Sequence, residues 1–169
     1  IIQQEGALLC RVVLCIQQLS GKNNRLEVMV DREELKRHRI GKGLKVSIDG
    51  VIRTCNEYND LGRIKHVFVY VRARKIHRVH TDTLDKNQVV LAGALAQTPS
   101  IWSLQKGRSR INFNLCTKDL QDGRTSFVPC VAKDRMADIL CEHTPGAELS
   151  FKGRFQSRDY IKILETGQK

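Results

Sequence analysis

The feature that most constrains this chain is an internal repeat. Arg11–Gln17 (RVVLCIQ) and Arg110–Cys116 (RINFNLC) both alternate apolar and polar residues. Val30–Leu35 (VDREEL) aligns with Val131–Met136 (VAKDRM). Gly43–Thr54 (GLKVSIDGVIRT) aligns with Gly146–Ser157 (GAELSFKGRFQS). The offset stays near one hundred residues and drifts upward by a few, as slightly longer loops in the second copy would produce. Identity is low, but order, pattern and glycine placement agree over three successive blocks, which reads as two copies of one fold.

Each copy reads strand, strand, short helix, strand. In the second, strands are expected at Asn87–Ala96, Arg108–Thr117, Thr125–Ala132 and Glu148–Arg158. A helix is expected over Lys133–His143, where Met136, Ile139 and Leu140 share a face and Thr144-Pro145-Gly146 ends it. In the first, the helix is expected at Arg32–Arg39, closed by Gly41, and a further strand at Ile64–Ile76. Strands in this order, with the helix between the third and fourth, fit an all-β chain of two tandem OB-fold units, each a five-stranded Greek-key barrel. The expected division is a first unit at 1–78, a linker at 79–86 and a second unit at 87–169. Each unit lacks one edge strand. The first has no counterpart of Asn87–Ala96, and the second has none of Ile64–Ile76. Open edges are hazardous; truncation explains them more simply than strand exchange, and the chain opens at Ile1 with no Met.

Charge narrows the partners. A net charge of +11, shared between the halves, favours a polyanion held on folded structure; a solvated basic surface is the bland alternative. No apolar run approaches the ~20 residues that span a bilayer, and no signal peptide is seen, so neither a membrane nor a small-molecule substrate is expected as partner. Six cysteines (10, 15, 55, 116, 130 and 141) form no CxxC pair and no zinc spacing with histidine. Most sit in apolar strand-like stretches as small hydrophobes, which points to a reducing, cytoplasmic setting.

Enzyme chemistry finds no constellation. His77 and His80 lie beside Asp82 in the linker, Glu33 and Glu34 face different ways on a helix, and Gly41-Lys-Gly43 is no P-loop. No enzyme activity and no cofactor or metal are expected.

Strand alternation sorts the candidate binding residues. Along Glu148–Tyr160, Leu149, Phe151, Gly153 and Phe155 share the core side, and Lys152, Arg154, Gln156, Arg158 and Tyr160 the other. Arg110, Asn112 and Asn114 point outward from their strand, as do Phe127 and Lys133 from theirs. Trp102 falls in a loop between the first two strands of the second copy, free to stack or to plug the barrel end. On Ile64–Ile76, Val67, Val69, Val71 and Ala73 form one stripe, and His66, Phe68, Tyr70, Arg72 and Arg74 the other. Phe68 and Tyr70 suit either base stacking or packing between the units. Arg11, Val13, Cys15, Val51, Arg53 and Cys55 mix arginine with apolar residues, so that face is expected to be partly covered by the sister unit or a second subunit. Arg53 nevertheless joins the candidates.

The second copy resembles bacterial single-stranded-DNA-binding proteins. The resemblance rests on Asn87–Ala96 (NQVVLAGALA) with Pro99, Gly107 before Arg110–Thr117, Phe127–Met136 and Gly146–Tyr160, with Gly153–Arg158 (GRFQSR) the nearest block. It covers about half the chain, and the repeat extends it to the first copy as a tandem version of the family. It implies an OB fold, sequence-tolerant binding of single strands in replication, recombination or repair, homo-oligomerisation and no cofactor. It places Phe127 and Tyr160 where the family has base-stacking tryptophans, and Lys133 where another aromatic stood. The long Gly/Gln-rich tail with an acidic tip is absent, and the aromatic content of 5% is low for a protein that stacks bases. Two functions are therefore weighed: non-catalytic binding of single-stranded DNA, or of RNA, and an OB-type protein-interaction module with little nucleic-acid binding.

Overall fold

The computed structural model describes residues 2–4, 7–17, 21–104 and 108–157. Its elements are β1 (Ile2–Gln4), β2 (Ala7–Gln17), β3 (Asn23–Asp31), α1 (Arg32–Arg37), β4 (Val46–Tyr58), β5 (Ile64–Arg78), β6 (Val89–Leu95), β7 (Ser100–Leu104), β8 (Arg108–Lys118), β9 (Thr125–Lys133), α2 (Arg135–Cys141) and β10 (Glu148–Gly153). Two sheets result. The first runs β1-β2-β3-β5-β4; the second runs β10-β6-β8-β7, with β9 on the other edge of β8.

Alternation builds both cores. On β3, Leu26, Val28 and Val30 are buried and meet Ile16, Val71 and Ile76 in the first core. In the second, Leu95, Ile111, Phe113, Ala137 and Leu140 form the buried cluster. Each fully buried aliphatic or Phe side chain contributes about 1.5–3 kcal/mol of transfer free energy, so these stripes fix strand register. A slip by one residue would put Val28 and Val30 in water. The parallel pairing of Val28 with Val71 folds the β4–β5 ladder back over β3.

Two glycines permit close strand approach. A Cβ on Gly93 would lie 2.2 Å from the carbonyl oxygen of Cys116, and one on Gly50 would lie 2.4 Å from that of Arg72. Beside Gly50 the β4–β5 ladder passes from Asp49↔Lys75 to Gly50↔Ala73, which leaves Arg74 as the extra residue of a bulge. The bulge reverses the phase of β5, so both Val71 and Ile76 reach the core.

The helices are short. The Asp31 carboxylate accepts from the Glu33 amide at 2.9 Å and caps α1. On α1 the residue that reaches the core is Leu35. α2 buries Ala137 and Leu140 against the second core.

Several elements differ from expectation. Trp102 lies on a strand, β7, which pairs with β8, and not in a loop. β5 continues two residues past the expected Ile76, to Arg78. The connection from β5 to β6 is tied to the first sheet: Lys45 Nζ lies 2.8 Å from Asp85, whose carboxylate also accepts from the Gln17 amide at 2.7 Å. β10 ends at Gly153, and Phe155 leaves its own sheet to pack on the first core. Its carbonyl accepts from Asn87 Nδ2 at 2.9 Å and from buried Asn24 Nδ2 at 3.2 Å. The Ser157 amide donates to Asn24 Oδ1 at 3.1 Å.

The repeat aligns β2 with β8 and β4 with β10. β6 pairs with both β10 and β8, whereas no described strand pairs with both β4 and β2. A cleft of about 650 Å3 occupies that region, lined by Leu14, Val28 and Ile52 and narrowed by Val89, Leu91 and Phe155. No described strand follows β10. Among the described residues, no helix is long and apolar enough to cross a membrane.

Candidate nucleic-acid interface

The outer face of the second sheet follows from the ladder. β8 turns Ile111, Phe113 and Leu115 inward, so Arg110, Asn112, Asn114, Cys116 and Lys118 take the opposite face. β9 buries Ser126 and Val128 and exposes Phe127, Pro129, Val131 and Lys133. In register, Arg110 stands opposite Lys133, Asn112 opposite Val131, and Cys116 opposite Phe127. On the other side of β8, Trp102 stands opposite Arg110. β10 adds exposed Lys152, paired in register with Val90. Exposed Arg154 follows its end.

Phe127 is a large exposed ring of this face. It is 55% exposed and belongs to neither core cluster. A large ring projecting from a rigid strand offers one face to a planar ligand at little reorganisation cost. The same sheet carries cations without carboxylate partners. Among the described residues Arg110, Lys118, Lys133, Lys152 and Arg154 make no ion pair. Arg110 donates to Asn112 Oδ1 at 3.5 Å, and its Nε is buried with no partner. A guanidinium left so poorly paired is suited to an anion's oxygens. Lys118 was not foreseen: the strand was expected to end at Thr117, but it runs one residue further.

The first sheet differs. Tyr70, Phe68 and His66 face Arg53, Cys55 and Glu57 across the β4–β5 ladder. Phe68 is 40% exposed and meets the His66 ring edge-on at 4.4 Å. Tyr70 and Arg72 are half-buried, and Arg72 Nη1 is 3.4 Å from the Met29 and Ala73 carbonyls.

Arg53 is a correction. It is only 7% exposed and does not face solvent. The β8–β9 turn of the second sheet covers it: Arg53 Nη2 donates to Asp119 at 2.5 Å and to Asp122 at 2.6 Å. Arg74 Nη2 donates to the other oxygen of Asp119 at 2.5 Å. Backbone donation from Gln121, together with the arginines, holds the Asp119 carboxyl below its ordinary value of 3.8, against the opposing effect of burial. The sister sheet's turn thus covers Arg53 and consumes two candidate arginines, while Arg11, Val13, Cys15 and Cys55 of the face expected to be partly covered are exposed.

Arg158 and Tyr160 lie outside the described residues. The cysteines are less buried than their apolar neighbourhoods suggested. Cys15, Cys55 and Cys141 are exposed, and all six are free thiols. Burial pushes the Cys130 thiol up to about 12.

Residues 86–168 match the model of the Single-strand binding protein family. Among solved structures, the chain is similar to the wild-type single-stranded DNA binding protein from Thermus aquaticus, with a TM-score of 0.63 at 23% identity over 86% of this chain and 70% of that one. A deletion mutant of the same Thermus aquaticus protein gives a TM-score of 0.65 at 20% identity, over 86% of this chain and 72% of that one. These likenesses establish a shared fold. No curated protein matches the chain.

Proposed function

We propose that this chain, whose residues 86–168 match the single-strand binding protein family, is a non-catalytic binder of single-stranded DNA built as two tandem OB-type units. The units are read as 1–78 and 87–169, joined by 79–86. The outer face of the second unit is the primary site. Phe127 stacks a base, Arg110, Lys118, Lys133, Lys152 and Arg154 follow the phosphates, and Trp102, Arg158 and Tyr160 extend the path. Phe68, Tyr70 and Arg72 offer a secondary surface on the first unit.

One observation supports this reading above the others. The exposed ring of Phe127 shares a face with cations that have no carboxylate partner among the described residues. Stacking rings and cations that track a backbone are what sequence-tolerant single-strand binding requires. Such binding serves strands exposed in replication, recombination or repair, and self-association of the chain belongs to the same proposal.

The test is fluorescence anisotropy with single-stranded DNA, RNA and duplex DNA across a salt series. Binding that prefers single-stranded DNA and weakens with a log–log slope of about −0.7 per phosphate supports the reading. Equal or absent binding of all three ligands favours a protein-interaction module instead.

A further inference from the structure

Asp119 holds two arginines at once, one on each carboxylate oxygen, and Asp122 adds a second acceptor for Arg53. A phosphodiester has the same geometry: two anionic oxygens on one centre, each able to accept from a guanidinium. The arginines held in this way lie on the β4–β5 ladder, where Arg53 stands opposite Tyr70 and Cys55 opposite Phe68. Cations and rings thus share one face of the first unit, as Phe127 and Lys133 do on the second. The difference is that here the cations are already satisfied.

We infer that Arg53 and Arg74, with Tyr70 and Phe68 beside them, form a second phosphodiester-binding face, which the Asp119–Asp122 turn of the second unit occupies as a phosphate mimic in the free protein. The inference rests on the proposed function and adds a competition to it. A bound strand that extends beyond the second unit displaces the turn and takes its two arginines. Among the described residues, the side-chain bonds between Asp119 or Asp122 and the first unit are those to Arg53 and Arg74. Leu120 is 94% exposed, and the turn's own bonds are local: the Asp119 amide to the Arg124 carbonyl and the Gly123 amide to the Asp119 carbonyl, at 2.9 and 2.8 Å. Its hold on the first unit is ionic, so a polyanion can compete for it.

The test compares the unaltered chain with Asp119→Asn/Asp122→Asn, and with a control of equal charge change, Glu33→Gln/Asp82→Asn, at exposed positions. If the turn masks a site, the turn variant binds single-stranded DNA more tightly than the control, and its salt dependence steepens by about 1.4 in log–log slope, for two further phosphates. Affinity and slope equal to the control's overturn the inference and leave the proposed function standing; no binding by any form overturns both. Should the variant fail to fold, hydrogen exchange on the unaltered chain decides. The readout there is the exchange of the Arg53 and Arg74 guanidinium protons, followed by NMR: they lose their carboxylate partners and their signals shift when a long oligonucleotide is added, and unchanged signals refute the mask.

Discussion

Replacing Phe127 with Ala separates stacking from folding. The ring is 55% exposed and belongs to neither core cluster. Full burial of such a side chain is worth at most ~3 kcal/mol, and here about half of the residue already faces water. The loss of folding stability should therefore stay below about 1.5 kcal/mol. Stacking is worth ~1–3 kcal/mol per base, and each ~1.4 kcal/mol is a factor of ten in Kd. Affinity for a single-stranded oligonucleotide should fall by between about fivefold and about 150-fold. No charge is removed, so the salt slope should hold. Anisotropy titration at two salt concentrations, with a thermal melt of the same sample, reads all three quantities. Unchanged affinity would refute the stacking assignment. So would a fall in affinity that merely follows a collapse in stability.

Other consequences are checked more briefly. Arg110→Ala and Lys133→Ala should each flatten the salt slope by about 0.7, with little change in discrimination between sequences, measured by titration against two oligonucleotides. Phe155→Ala should destabilise the first unit although it belongs to the second, by about 2 kcal/mol or more for a core Phe; hydrogen exchange should find the loss on Leu26 and Val28 and leave Ile111 and Leu115 protected. Cys130 should resist iodoacetamide at pH 8, since burial holds its thiol up to about 12, while exposed Cys15, Cys55 and Cys141 react; peptide mapping tells them apart. The Asp119 contact follows a definite sign in pH. Its carboxyl sits below 3.8 when folded, so its stabilisation is complete above that value and is lost as pH falls through the lower folded value. Acid titration by circular dichroism should show the loss only below about pH 4, and Asp119→Asn should remove that component.

Much of this architecture was legible because period-two alternation is strong wherever one face is buried. Leu26, Val28 and Val30 on β3, and Ile111, Phe113 and Leu115 on β8, announce their inward face in the sequence. The break before β10 was equally plain from Thr144-Pro145-Gly146. Other features had no local signature. The bulge at Arg74 reverses the phase of β5, and only the cross-strand register reveals it. β7 is short and carries Trp102, so it read as loop. Arg53 occupies an outward strand position on a face expected to be partly covered, and in the sequence it stays among the binding candidates because its partners Asp119 and Asp122 lie far along the chain in what looks like an ordinary turn. Phe155 kept the inward phase of its strand but ended in the other core. Alternation tells which side a residue faces, not what stands on that side.

The central claim is that a single strand lies along the outer face of β8 and β9. Ultraviolet cross-linking to an oligothymidine, followed by mapping of the modified peptide, tests it most directly. The account predicts a nucleotide adduct on Phe127, suppressed by competing single-stranded DNA and not by duplex. Adducts confined to other surfaces, such as exposed Tyr58 on the β4–β5 hairpin, with Phe127 unmodified, would contradict it.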